Sequence, residues 1–335
     1  MNLRELIHNT SEEPVQEEPK LSKEEYAAQK QAEREEAWAH VDTQAEEVFR
    51  DDQSMRDFLN FMAKCTRQST RNLLILYEQN PEITHPRTFD KWAEAGRSVR
   101  TGETGYIFFE PQEYVREDGV KASGYKLTKA FDISQTRGRP PAPAQEHVPE
   151  EVLAAIIQQS PVRLDISDDL PDKVLAQYIP KNKTIYLRDG MDETLTFFSI
   201  AREEAYASFD MAGNHYSRRA YNAQAYCAAY VLATKYGFDT SGFQFDKVCQ
   251  TWMEKDLQEK RGFISEVKTA FYSIDRNIQR QFHELEQQIT EDAFTITEGG
   301  KAPEQEPSET KAAKTSRKSK GKEEPVEKEE PVSVR

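Results

Sequence analysis

Apolar residues recur at helical spacing over most of the chain, and two stretches near its middle switch to alternation. From Ser22, KEEYAAQKQAEREEAWAHVDTQAEEVFR is dense in Ala, Glu, Lys and Gln, which favour helix. Ser22 followed by Glu25 is a capping-box signature. A helix is therefore expected to about residue 50, with Trp38, Val41 and Ala45 on one face. Met55, Phe58, Leu59 and Met62 form the face of a second helix, and residues 72–77 a third. GYIFFEPQEYVRE alternates and is rich in aromatics, so it reads as a strand; Asp118-Gly119 is a turn signal, and ASGYKLTKAFDISQT is a partner strand. RGRPPAPAQEHVPE is a proline-rich linker, which places a boundary at residues 141–149.

Beyond the linker, Pro149 opens a helix, and VRLDIS and KTIYLRDG read as short strands. DETLTFFSIAREEAYASFDMA is a helix whose Leu195, Phe198, Ile200, Ala201, Ala205 and Phe209 predict burial on more than one side. SRRAYNAQAYCAAYVLATKYG is another, stopped by Gly237. Ile264, Val267, Phe271, Ile274, Ile278, Phe282, Leu285 and Ile289 then step by threes and fours. That is one long helix with a coiled-coil-like seam, a possible protein-partner surface over residues 263–290. The ends, residues 1–21 and 296–335, are polar and expected to be disordered. The expected fold class is α+β: N-terminal helices and a small antiparallel sheet over residues 22–140, then a mainly helical domain over 150–295 ending in the long helix.

Composition narrows the function classes. The 335 residues leave room for two domains and tails. Hydrophobic residues are 37% and charged residues 31%, a polar balance for a folded chain. No run of 18 apolar residues exists, so no transmembrane helix or membrane partner is expected, and MNLRELIHNTSEEP has no secretory pattern. Cys65, Cys227 and Cys249 form no CxxC pair, which argues against a zinc ribbon or a disulfide framework and for the cytoplasm. Net charge is −14, but residues 50–140 carry 15 basic and 13 acidic residues. A local basic groove is compatible with an acidic chain, because binding follows the local field.

Four spaced motifs lie in residues 67–136: Ser69 with Asn72-Leu73-Leu74; Trp92 with Gly96-Arg97 and Val99; Gly102-Glu103 with Gly105; and Asp132 to Thr136. Together they resemble the N-terminal single-stranded-DNA-binding domain of the ArdC antirestriction family, with a likeness to the LtrC-like proteins of Gram-positive conjugative elements. The resemblance implies single-stranded DNA as partner. Single strands are held by cations along phosphates and by aromatic faces under bases. Arg71, Arg97, Arg100 and Lys126 are candidates for the first role, and Tyr106, Phe108 and Tyr125 for the second. Asn72 and Gln135 complete the candidate nucleic-acid set. Arg97 and Arg100 are expected to be exposed and Trp92 to be a packing anchor.

The ArdC family's second half resembles a zinc metallopeptidase, whose HExxH helix aims two imidazoles at one metal. The matching stretch here is Arg202-Glu203-Glu204-Ala205-Tyr206. Glu203 is kept, but both ligand positions have changed, and arginine cannot ligate a cation. The next helix has no carboxylate between Tyr221 and Lys235. Arg202, Glu203 and Tyr206 therefore read as a degenerate metal site, with no catalytic residue, no metal and no cofactor expected. Arg202 is expected to pair with Glu203 or a nearby carboxylate. The sequence reading is a non-catalytic single-stranded-DNA-binding accessory protein of a conjugative or other mobile element, with an antirestriction-related role. Its alternatives are a metallopeptidase with atypical ligands and an interaction scaffold without DNA binding.

Overall fold

In the computed structural model, Ser22 accepts from the Glu25 N–H while Glu25 reaches back to the Ser22 N–H, so the capping box forms at the head of α1 (Lys23–Glu47). Asp51 and Ser69 supply the capping oxygens of α2 (Asp52–Lys64) and α3 (Thr70–Gln79). The structure describes residues 22–116, 119–140, 146–213 and 216–298, with side chains to residue 288. Residues 296–298, expected to be disordered, instead continue the last helix; the expected disorder of residues 1–21 and 299–335, Asp118 of the turn and most of the linker lie outside the described residues.

After α3 come β1 (Arg87–Thr88), α4 (Phe89–Glu94), β2 (Arg97–Val99), β3 (Tyr106–Val115), β4 (Lys121–Phe131), a 3-10 turn (Ile133–Gln135) and β5 (Thr136–Gly138). The sheet order is β1-β4-β3, all antiparallel, and β2 pairs with β5 in a separate ribbon. Gly105, just before β3, is needed for close approach: a Cβ there would meet the Lys129 Cβ at 2.8 Å.

Strand β3 is an edge of its sheet, and an edge leaves backbone groups without partners. Helix α3 covers it. Asn72 and Gln79 stand seven residues apart, about two helical turns, and so face the same way. Gln79 donates to the Ile107 carbonyl at 3.1 Å and accepts from the Ile107 N–H at 2.7 Å. Asn72 does the same for Phe109, two residues along the strand.

The second half holds α5 (Pro149–Gln158), β6 (Arg163–Ile166), β7 (Ala176–Ile179), β8 (Thr184–Leu187), α6 (Glu193–Met211), α7 (Asn222–Lys235), α8 (Asp246–Trp252) and α9 (Leu257–Glu298). This part is mainly helical but also contains a mixed sheet of order β6-β8-β7, parallel between β6 and β8 and antiparallel between β8 and β7. The sequence pattern did not announce β7 or α8. α7 starts at Asn222, later than expected, because residues 218–221 form a turn. Leu195 is not buried: it is an exposed side chain at the head of α6.

One buried cluster runs through residues on both sides of the 141–149 segment. Phe49, Phe58 and Leu74 belong to it together with Phe197, Tyr230, Phe245 and Phe271. Polar ties cross the same junction: the Tyr230 hydroxyl donates to Asn60 at 2.7 Å, and Arg56 donates to the Phe243 carbonyl at 2.6 Å. The seam of α9 is buried within this core from Ile264 to Phe282, whereas Leu285 is exposed. Over that span the seam is therefore covered by the protein itself. No helix among the described residues is long and apolar enough to cross a membrane.

Candidate functional site

In an antiparallel pair, residues opposite each other share a face and neighbours alternate. Tyr106 pairs with Ala130, Phe108 with Thr128, Glu110 with Lys126 and Tyr114 with Ala122. Three expected nucleic-acid residues, Tyr106, Phe108 and Lys126, thus share one face of the β3–β4 hairpin. Their availability differs. Tyr106 and Phe108 are partly buried against the core, and the Tyr106 hydroxyl accepts from Asn80 at 2.9 Å. Lys126 is about half exposed and pairs with Glu110 at 3.0 Å.

The other face carries Tyr125, 43% exposed. The Arg71 guanidinium stacks on its ring at 3.5 Å and also lies 5.8 Å from the Trp38 ring. This pairing of a cation with an open aromatic face joins α3 to β4. Back on the first face, toward the hairpin tip, Tyr114 is 46% exposed, and its ring lies over Gly124, where a Cβ would stand 3.0 Å from it. Arg116, Lys121 and Lys129 are exposed on the same two strands and their margin. Sequence reasoning missed Tyr114, Arg116, Lys121 and Lys129. The available signal was the interleaving of Tyr with Lys and Arg along both strands.

The remaining candidates are held by the fold. Asn72 is 4% exposed, and both ends of its amide are occupied by Phe109. Gln135 is buried: it donates to the Thr104 carbonyl at 2.9 Å and accepts from the Asp132 N–H at 2.9 Å. Arg97, expected to be exposed, is half-buried. Its Nε donates to Thr136 Oγ1 at 2.8 Å and its Nη1 to the Arg139 carbonyl, tying β2 to the segment around β5. Arg100 is exposed and bonded through Nε to Glu103 at 2.9 Å, a contact that holds the Glu103 carboxyl below its ordinary range. Trp92 is buried as expected, and its indole N–H donates to the Phe131 carbonyl at 2.8 Å. Asp132 organises the base of this region. Burial alone would raise its carboxyl, but hydrogen bonds from Ser134, His85 and Thr84 outweigh that and hold it below the usual range.

In the second half, the four-residue spacing on α6 does bring Arg202 and Tyr206 to one point, and that point is an oxygen of α7. Arg202 Nη2 donates to Asn222 Oδ1 at 2.6 Å, and the Tyr206 hydroxyl donates to the same atom at 2.8 Å. Glu203 does not pair with Arg202. It is 2% exposed and receives the two arms of Arg218 together with the Tyr178 N–H at 2.7 Å. The Arg218 guanidinium also lies 4.1 Å from the Tyr206 ring. The turn before α7 thus supplies the cation that Arg202 was expected to provide. Glu204, next in sequence, is also buried, and one of its oxygens has no partner.

This donor set does not suit a divalent ion. Two guanidinium groups repel a cation, the single carboxylate is already neutralised, and what remains is a phenol and an amide oxygen. No group of three His, Cys, Asp or Glu among the described residues is placed to hold a metal ion; His215 lies outside them. An open cleft of about 990 Å³ nevertheless lies over these residues, lined by Arg202, Glu203, Arg218, Phe198, Tyr226 and Phe243 among others. The three cysteines are buried, and burial raises each thiol, that of Cys249 to about 11. None is poised as a nucleophile.

Comparison with known proteins adds three findings. No curated protein matches the chain. Two crystal structures of the antirestriction ArdC protein from the R388 plasmid are similar to it. The metal-free form has 18% identity and a TM-score of 0.42, covering 64% of this chain and 86% of that one. The Mn(II)-bound form has 16% identity and a TM-score of 0.43, covering 68% and 97%. Residues 30–140, the segment that holds the hairpin and all four sequence motifs, match the family described as the N-terminal domain of anti-restriction factor ArdC. Over this third of the chain, the protein therefore carries a domain that matches the N-terminal domain of the ArdC family.

Proposed function

We propose that this chain is a non-catalytic, single-stranded-DNA-binding accessory protein of a conjugative or other mobile genetic element, with an antirestriction-related role. The observation that carries the reading is the β3–β4 hairpin with α3 beside it. Tyr125 stacked on Arg71 with Lys121 and Lys129 on one face of the hairpin, and the exposed Tyr114 with Lys126 on the other, set rings beside cations inside the ArdC-type segment. That is the chemistry by which proteins hold single strands without base-specific hydrogen bonds. Asn72, Gln135 and Arg97 keep in place the strands that present these side chains. Arg100, exposed at the turn after β2, adds a phosphate contact.

The second half is, in this reading, a metallopeptidase-like domain that has exchanged metal chemistry for internal ties. The Glu203–Arg218 pair and the convergence of Arg202 and Tyr206 on Asn222 support it. Fluorescence anisotropy of the full chain with labelled single- and double-stranded oligonucleotides over a salt series is the test. Single strands are expected to bind more tightly than duplex, with affinity falling as salt rises, because phosphate contacts release counterions. Absence of binding at low salt, or equal affinity for duplex, removes the proposal.

A further inference from the structure

The seam of α9 is buried from Ile264 to Phe282, and the opposite side of the helix faces solvent. On that outer side Lys268, Tyr272, Arg276 and Arg280 follow each other in steps of four, with Thr269 and Ser273 between them, around a depression of about 340 Å³. Steps of four form a continuous ridge on a helix surface. Between Lys268 and Arg280 the only acidic side chain is Asp275, which is buried and paired with Lys235. In a chain of net charge −14 this is a local reversal of sign.

The ridge cations lack acidic partners among the described residues. Arg280 donates to the neutral amide of Asn277 at 2.9 Å, and the Lys268 ammonium lies 4.5 Å from the Tyr272 ring. Partial burial also holds the Lys268 amine below its ordinary value, and an anion beside it would offset that burial cost. Tyr272 is 39% exposed.

We propose that this ridge is a second contact for single-stranded nucleic acid, separate from the β3–β4 hairpin; the inference rests on the single-strand reading given above. From Lys268 to Arg280 the helix rises about 18 Å, which spans roughly five phosphates of a stacked strand. The three cations meet phosphates, and Tyr272 offers a face to a base. An acidic protein segment would satisfy the cations but would leave the exposed ring unused. The long helix therefore works from both sides: its seam closes the core, and its outer ridge takes the ligand.

The test compares the full chain with the triple variant Lys268→Gln, Arg276→Gln, Arg280→Gln, titrated with a labelled oligothymidylate over a salt series. The slope of log affinity against log salt is expected to fall by about 2, at about 0.7 for each lost phosphate contact. A single strand carrying 5-iodouracil should cross-link to Tyr272 of the parent chain under ultraviolet light. If the triple variant melts early, Arg276→Gln alone should lower the slope by about 0.7. A parent chain that binds with no cross-link in α9, and variants with an unchanged slope, would overturn the ridge and leave the hairpin standing. A parent chain that binds no single strand removes both.

Discussion

The side-chain amide of Asn72 is bonded at both ends to the backbone of Phe109: Nδ2 donates to the Phe109 carbonyl at 3.0 Å, and the Phe109 N–H donates to Oδ1 at 2.9 Å. Asn72 therefore stands in for one residue of a missing neighbouring strand, and Gln79 does so for the next outward-facing residue, Ile107. Replacing Asn72 by Leu would leave a buried donor and acceptor of β3 without partners. Each such loss costs about 1–3 kcal/mol. Urea unfolding should show a fall of about 2–6 kcal/mol, while the molecules that remain folded keep their affinity for single strands. A stable Asn72→Leu protein with weakened binding would assign the residue to the ligand instead.

Trp92 and Arg97 are both structural, by different means. Trp92→Ala empties a buried site and removes a hydrogen bond to Phe131, at a cost of about 3–5 kcal/mol. Arg97→Ala releases β2 from the β5 segment, at about 1–2 kcal/mol. Thermal melts of the two variants provide the check. An Arg97→Ala protein that melts like the parent but binds DNA less well would restore that residue to the phosphate-contacting set.

Tyr125 and Tyr114 are the exposed rings of the hairpin. Substitution of either by Ala should lower single-strand affinity by about 1–3 kcal/mol per stacked base, with little change in melting temperature. Lys126→Gln should flatten the salt dependence rather than abolish binding. Equilibrium titrations at two salt concentrations separate the two effects. Unchanged affinity in both tyrosine variants would move the interface away from the hairpin.

Histidines placed at positions 202 and 206 should not create a metal site. In Arg202→His, Tyr206→His, Asn222 still faces the helix, and no carboxylate exists from Asn222 to Lys235. Glu203 remains clamped by Arg218. Elemental analysis is expected to find no stoichiometric zinc in the parent or the double variant. Arg218→Ala should be costly by itself, about 3 kcal/mol, because it strands a buried carboxylate. One zinc per parent chain, lost on substitution of Glu203, would revive the peptidase reading.

Glu204 gives the protein a pH-dependent weakness. Burial pushes its carboxyl from 4.5 up to about 8, and the nearby Ser160 hydroxyl offsets only part of this. The folded chain keeps this proton where the unfolded chain has lost it. The stability linked to Glu204 is complete below the unfolded value of 4.5 and is lost as pH rises through about 8. Within that window the slope is about 1.4 kcal/mol per pH unit. Glu204→Gln should flatten the profile and be more stable than the parent at pH 8. Urea midpoints measured across the window check this; parallel profiles for the two proteins would contradict it.

The sequence by itself determined what depends on neighbours along the chain. The Ser22–Glu25 capping box, the helical steps of Met55, Phe58 and Met62, the alternation in β3 and β4, Pro149 at the head of α5 and the period of α9 are set within a few residues. The absence of histidine from Arg202-Glu203-Glu204-Ala205-Tyr206 is equally plain. Tertiary structure alone decided which side chains are free. Asn72 and Phe109 are 37 residues apart, and Arg97 and Thr136 are 39 apart. No local pattern says that these polar groups are already occupied. Arg218 reaches Glu203 across a turn, displacing the expected role of Arg202, because a buried carboxylate takes whichever cation the fold brings to it. The seam of α9 likewise announces an apolar face, but only packing shows that the protein's own core covers it and leaves the basic ridge outside. Periodicity is a property of one element, whereas occupancy depends on what the fold packs against it.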